Sequence, residues 1–210
     1  MTTYFIKFLA LLTIVTPLSL GAEILSIGSP DGRNRVSFEK PGKELTYTID
    51  RDGKQLILPS RAGLHVDNRV WEMALGKRDL AQPDCWMDLL EVDSVSYHAP
   101  VDSTWHPLYG ERSTVHDRYN SATLHMSRHD KSDYRLDVEV RAYDEGVAFR
   151  YFFPEHPAAI FHKVTDDLTD YTFPEGTMAW SEQWAQATFD HTPVDSILRP
   201  AERALTLELP

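Results

Sequence analysis

Residues 134–143, YRLDVEVRAY, alternate apolar and polar side chains almost without a break. Tyr134, Leu136, Val138, Val140 and Ala142 fall on one side, and Arg135, Asp137, Glu139 and Arg141 on the other. A period of two fits a strand and excludes an amphipathic helix, whose apolar positions recur every three or four residues. One apolar face and one charged face also point to an antiparallel sheet rather than a parallel sheet buried on both sides. The same period recurs in LTYTI (45–49) and RALTLEL (203–209), while VAFRYFF (147–153) carries aromatics on both faces. Turn chemistry falls between these runs. Asp52-Gly53 closes a hairpin from 45–50 to 55–58, and Asp144-Glu145-Gly146 closes another from 134–143 to 147–153. The two candidate helices, around 70–76 and 181–187, are short. An all-β antiparallel sandwich follows.

The chain has 210 residues, enough for one domain or at most two. Its first 22 residues read as a secretory signal peptide: Lys7, an apolar run from Phe8 to Leu20, then the small residues Gly21 and Ala22. The run is too short and too interrupted by Thr, Pro and Ser to span a membrane. A periplasmic or secreted protein, free of the membrane after cleavage, is expected, with residues 23–210 as the mature domain. The formal net charge is −11, and removal of Lys7 makes it one unit more negative. Such a surface repels nucleic acid and anionic lipid and suits a neutral ligand. Cys85 is alone, so neither a disulfide framework nor a thiolate metal site is open to the chain. RALTLEL runs into Pro210 with no closing strand, which reads as a sandwich truncated before its last strands.

Five blocks carry a resemblance. SPDGRNRVSFE (29–39), LTYTIDRDGKQLILPSRAGL (45–64), TWHPLYGERSTVHDRYN (104–120), LDVEVRAYDEGVAFRYFFPE (136–155) and RALTLELP (203–210), in this order and spacing, resemble the N-terminal domain of glycoside hydrolase family 97. The resemblance covers essentially the whole mature chain. It implies a β-super-sandwich like that of galactose mutarotase, followed by a catalytic (β/α)8 barrel in a secreted bacterial exo-acting α-glucosidase or α-galactosidase. Glycoside hydrolysis needs two carboxylates across the scissile bond. The family takes both from the barrel, so no catalytic residue is expected in this chain. The alternatives are a stand-alone carbohydrate-binding module and, on fold analogy only, a mutarotase-like sugar enzyme.

The resemblance further implies a Ca2+ ion shared between barrel glutamates and one glutamate of the N-terminal domain. Divalent calcium takes six to eight oxygens, so ligands from two domains are physically sensible. The segment SEQWAQATFDHTPVDSI after Trp180 is the candidate. Glu182 is its only glutamate, and Gln186 is the competing position. Trp180 and Trp184, four apart, share one face of a short helix in this reading, one packing the core and the other walling the sugar pocket, and Trp180, Trp184 and Gln186 are the expected substrate-binding residues. The aromatic stretch 104–120 has two readings. Trp105, Tyr109 and Tyr119 stack on sugar while Glu111 and Arg112 bind hydroxyls; or Trp105 and Tyr109 pack the sandwich or its seam with the barrel. In the second and favoured reading Glu111, Arg112, Asp117 and Arg118 form ion pairs and Asn120 makes a turn. Asp144 and Glu145 are read as an outward-pointing turn, and Arg141 and Arg150 as partners of acids rather than of an anion. No Ser-His-Asp order and no histidine metal cluster stand out.

Overall fold

A computed structural model describes residues 23–67, 69–74, 76, 86–128, 134–155, 162–202 and 204–210. The expected signal peptide and Cys85 lie outside the described residues. The chain begins with a four-stranded antiparallel meander: β1 (Glu23–Gly28), β2 (Asn34–Glu39), β3 (Leu45–Arg51) and β4 (Lys54–Ala62), ordered β1-β2-β3-β4. A short β5 (Leu64–Val66) and a helix, α1 (Arg69–Ala74), follow. The second sheet holds β6 (Glu91–Tyr97), β7 (Val101–Trp105), β8 (Val115–Ser127), β9 (Arg135–Tyr143) and β10 (Val147–Phe152). Its order is β10-β9-β8-β6, and β8 is long enough to pair β7 along its first half and β6 along its second. A strand β11 (Val164–Asp167) pairs β5, and β12 (Met178–Ser181) lies between β13 (Asp190–Pro193) and β14 (Thr206–Glu208).

The two large sheets pack face to face, as the period-two pattern requires. Leu124, Leu136, Val138 and Val140 from the second sheet are fully buried, as are Val36 and Phe38 from the first. Phe38 meets Phe149 edge-on at 5.6 Å, and Tyr47 meets Phe149 at 5.0 Å, so the inward aromatics of β2, β3 and β10 form one cluster. Each such side chain contributes about 1.5–3 kcal/mol by leaving water. The aromatics of β10 divide as alternation dictates: Phe149 and Tyr151 turn toward this cluster, and Phe152 stays 41% exposed.

The hairpin at Asp52-Gly53 forms where expected, with each strand reaching one residue closer to the turn and β4 running on to Ala62. Both residues have positive φ, 52° and 78°, the left-handed pair that a tight two-residue turn needs. Arg33 clamps it with two hydrogen bonds to the Asp52 carboxylate, at 2.9 and 2.7 Å. The free edge of β4 is covered by residues 168–172: the amides of Leu168 and Asp170 donate to Gly63 and Arg61, and Leu58 donates to Thr172, all at 2.9 Å. An uncovered edge would invite pairing with another chain. Two expectations fail locally. Residues 181–187 form no helix, because β12 ends at Ser181 and the chain then turns. Asn120 lies inside β8, not in a turn, and its amide donates to the Gly28 carbonyl at 2.8 Å, tying one sheet to the other.

The Tyr151 hydroxyl bonds Thr169 at 2.6 Å beneath this covering segment, and burial pushes its pKa up to about 12. Burial also raises that of Tyr47, whose hydroxyl donates to the Asp170 carbonyl. The unfolded chain gives up these protons near pH 10, before the folded chain does. Their contribution is therefore complete below about pH 10 and is lost as the pH rises toward about 12. Urea midpoints measured from pH 9 to 12 should fall over that window. Tyr151→Phe, which has no proton to lose, should show a shallower fall.

Candidate functional site

The segment around Trp180 builds an aromatic step on a small sheet. Strand β12 carries Trp180, and the register places His191 of β13 directly opposite. The two rings stack at 4.3 Å and 11°, and His191 Nε2 lies 3.2 Å from the Glu208 carboxylate on β14. Trp180 remains 44% exposed. Trp184 is 57% exposed and sits in the following turn, where the Ala187 amide donates to its carbonyl. The shared helical face expected for the two tryptophans is therefore absent, since Trp180 belongs to a strand and Trp184 to a turn. Glu182 is half-buried, with its carbonyl accepting from the Glu202 amide at 2.8 Å. Its carboxylate has no hydrogen-bond or ion-pair partner among the described residues. Gln186 is exposed in the same turn.

The stretch 104–120 becomes the end of β7, a loop, and the start of β8. Trp105 is 50% exposed and Tyr109 is 90% exposed, so neither packs the sandwich core. Glu111 is exposed, and Arg112 approaches Glu145 at 3.8 Å. The expected pairing holds for Arg118, which binds Asp144 at 2.8 Å. Asp144 also accepts the Asp31 amide at 2.8 Å, so this carboxylate points inward while Glu145 points out. An acid that braces a turn from inside is not visible as such in the tripeptide Asp-Glu-Gly.

The outer face of the five-stranded sheet gathers a polar array that the sequence did not single out. Ser96 Oγ lies 3.0 Å from His125 Nε2, and His125 Nδ1 lies 3.0 Å from Asp137 Oδ1. An ionised Asp137 can only accept, so Nδ1 carries the proton and Nε2 accepts from the Ser96 hydroxyl. This is a serine–histidine–aspartate relay across three strands. It lies flat on a sheet in which β8 and β9 are each paired on both sides, so their N–H groups are engaged in the ladders and lie in the sheet plane. Donors for an oxyanion do not come from these two strands, and the relay joins β6, β8 and β9 as a cross-strand staple. Nearby, His98 Nε2 meets Thr123 Oγ1 at 2.8 Å, and Arg150 Nε donates to Glu139 at 2.6 Å. Arg150 thus pairs with an acid as expected. Arg141 does not: its guanidinium lies over the Tyr119 ring at 4.6 Å and donates to the Tyr143 hydroxyl at 3.2 Å.

The family model described as "Glycosyl-hydrolase 97 N-terminal" matches residues 27–209. The chain belongs to this family. A retaining alpha-galactosidase of Bacteroides thetaiotaomicron is 29% identical over 170 residues, covering 80% of this chain and 22% of that protein. The chain therefore spans about a fifth of that relative's length. Among solved structures, a variant of a Glycoside Hydrolase Family 97 enzyme from Pseudoalteromonas sp. strain K8 superposes with a TM-score of 0.73, at 19% identity, over 88% of this chain and 27% of that one. A Family 97 enzyme of the same strain in complex with acarbose gives 0.67 at 20% identity, over 80% and 24%. These structures show the fold, an antiparallel β-sandwich, and agree with the family reading of the sequence.

Within this family 97 domain, no three His, Cys, Asp or Glu side chains converge as a metal site among the described residues. The polar relay gives a direct test of its structural role. His125→Ala leaves Asp137, whose side chain is only 15% exposed, without its partner. The loss should be about 1–3 kcal/mol in urea unfolding, and Ser96→Ala alone should cost about 0.5–1.5 kcal/mol.

Proposed function

We propose that this chain is the N-terminal accessory domain of a secreted, exo-acting glycosidase of the α-glucosidase or α-galactosidase type. In this reading it packs against the catalytic barrel and helps form its calcium and sugar site. The observation that carries it is the family match over residues 27–209 together with a span of only 22% of the retaining alpha-galactosidase relative. The pair of carboxylates that hydrolysis needs belongs, on this reading, to the remainder of such an enzyme. Solved Family 97 enzymes held with panose and acarbose support a carbohydrate ligand for the parent.

Calcium fits the domain to the extent of one ligand. Glu182 offers a half-buried carboxylate with no partner among the described residues, and a hard cation prefers such an oxygen to the amide of Gln186. The barrel would supply the remaining oxygens, and the ion would hold the seam while it helps place the sugar. Trp180, Trp184 and Gln186 border that site, and Trp105, Tyr109, Glu111 and Arg112 line the seam. The exposure of Trp105 at the end of β7 and of Tyr109 in the loop after it supports a surface that another domain covers. A stand-alone carbohydrate-binding module is the second reading, favoured by the exposure of Trp180 and Trp184. Binding of α-linked oligosaccharides by the chain alone would support it.

The purified chain should not turn over aryl α-glucosides or α-galactosides. Activity above that of a Glu182→Ala variant would overturn the assignment of catalysis to the barrel. In the complete enzyme, Glu182→Gln should weaken calcium affinity, read by isothermal titration, by about tenfold or more. Added calcium should partly restore activity, and Gln186→Ala should do less. The reverse ranking would move the ligand to the Gln186 position.

A further inference from the structure

We propose that a hollow over Ala148, on the outer face of the five-stranded sheet, is an oxyanion site that takes the acidic group of a charged saccharide. The register of β9 and β10 creates it. Ala148 stands opposite Arg141, and Arg150 stands opposite Glu139. Among these long side chains the alanine methyl leaves a gap of about 210 Å³, walled by Glu139, Arg141, Tyr143 and Arg150. Strand β10 is the sheet's edge, so the hollow also opens sideways.

Two features set its chemistry. Arg141 has no carboxylate at ion-pairing distance among the described residues, although the chain carries a net charge of −11. Arg33, Arg51, Arg61, Arg69, Arg112, Arg118 and Arg150 each have one, while Arg35, Arg135 and Arg199 share the lack among the described residues, so it is its fixed position that marks Arg141. Yet Arg141 is not loose. It is held by the Tyr119 ring beneath it at 4.6 Å and by the Tyr143 hydroxyl at 3.2 Å. One nitrogen serves that hydroxyl, and the other N–H donors of the planar fork are left to meet an acceptor. Arg150 is fixed in the same manner, 5.7 Å over the Phe152 ring and bonded through Nε to Glu139. Two guanidinium groups and the one carboxylate of Glu139 line the hollow, while Asp117 acts on Arg141 from beyond ion-pairing distance.

A neutral sugar fits this place poorly. The rings of Tyr119 and Phe152 each already carry a guanidinium group on one face, which leaves less aromatic surface for stacking. An oxyanion matches the fork of Arg141 directly, and charge-assisted bonds of this kind are the stronger ones. Glu139 then accepts a hydroxyl of the same sugar. The volume suits the acid group of one sugar unit rather than a chain of several. Carboxylate and sulfate share this chemistry, from a uronic acid or from a sulfated sugar.

The test is amide-resolved NMR on the chain itself, with no assay of hydrolysis, so it stands or falls apart from the glycosidase reading. The protein is titrated with glucuronate, glucose 6-sulfate and glucose, against sodium chloride at equal ionic strength. One or both acids should shift the amides of Arg141, Ala148 and Arg150 in a saturable manner, and glucose and chloride should not. Which acid binds tighter identifies the source of the oxyanion. Arg141→Gln should weaken binding by about tenfold or more. Ala148→Leu, which keeps both arginines and fills the gap, should weaken it similarly. Both positions are exposed, so both variants should keep the parent's urea midpoint. Absence of a saturable shift with either acid, or unchanged binding in both variants, would overturn the proposal.

Discussion

Everything in this domain hangs on burial of one apolar face of β8 and β9 against β1, β2 and β3. Leu124, Val138 and Val140 on one side, and Val36, Phe38 and Tyr47 on the other, leave water together. Neither sheet could keep its apolar face alone in water, and once the faces meet the register of every strand is fixed. A slip of one residue in β9 would bury Arg135, Asp137, Glu139 and Arg141 and expose Leu136, Val138, Val140 and Ala142. The charged outer face is therefore a by-product of the core, and the Ser96 relay and the Arg141 hollow lie where they do because the core forbids any other register.

Polar contacts then lock the ends of the two sheets. Asn34, only 2% exposed, donates its side-chain amide to the carbonyls of Tyr143 and Asp144 and accepts from Arg51. Asp144 receives Arg118 and the Asp31 amide, and Asn120 reaches the Gly28 carbonyl. These bonds connect the turn after β1 with the turn after β9. Burial supplies most of the stability, but it is non-directional, and hydrogen bonds of this kind decide which turn faces which.

On the proposed reading, the Trp180 step, Glu182 and the exposed Trp105 and Tyr109 are the features that meet a neighbouring domain and its ligand. The sheet's outer face is a separate region with its own chemistry. A domain that supplies only part of a site will show carboxylates and aromatics that look unfinished in isolation. On the proposed reading Glu182, whose carboxylate has no partner among the described residues, is such a feature.

The sequence by itself determined the strands and the hairpins. Alternation in 134–143 and the dipeptide Asp52-Gly53 act over a few residues, and their physics is local: side chains alternate across a strand, and only certain residues tolerate positive φ. It also carried the family, because five blocks in fixed order are a property of the sequence alone. What only the tertiary structure decided depends on partners far apart in the chain. Ser96, His125 and Asp137 meet because three strands pair in one register, and no spacing in the sequence announces it. Trp180 reads as helical from its distance to Trp184, yet pairing with β13 and β14 makes it a strand residue stacked on His191. Asn120 has the composition of a turn, but the long ladder of β8 overrides that preference. The acids near Arg141 and Arg150 look equivalent along the chain. Cross-strand register gave Glu139 to Arg150 and set Arg141 opposite an alanine, because a strand residue's neighbours are chosen by the adjacent strand and not by its own sequence.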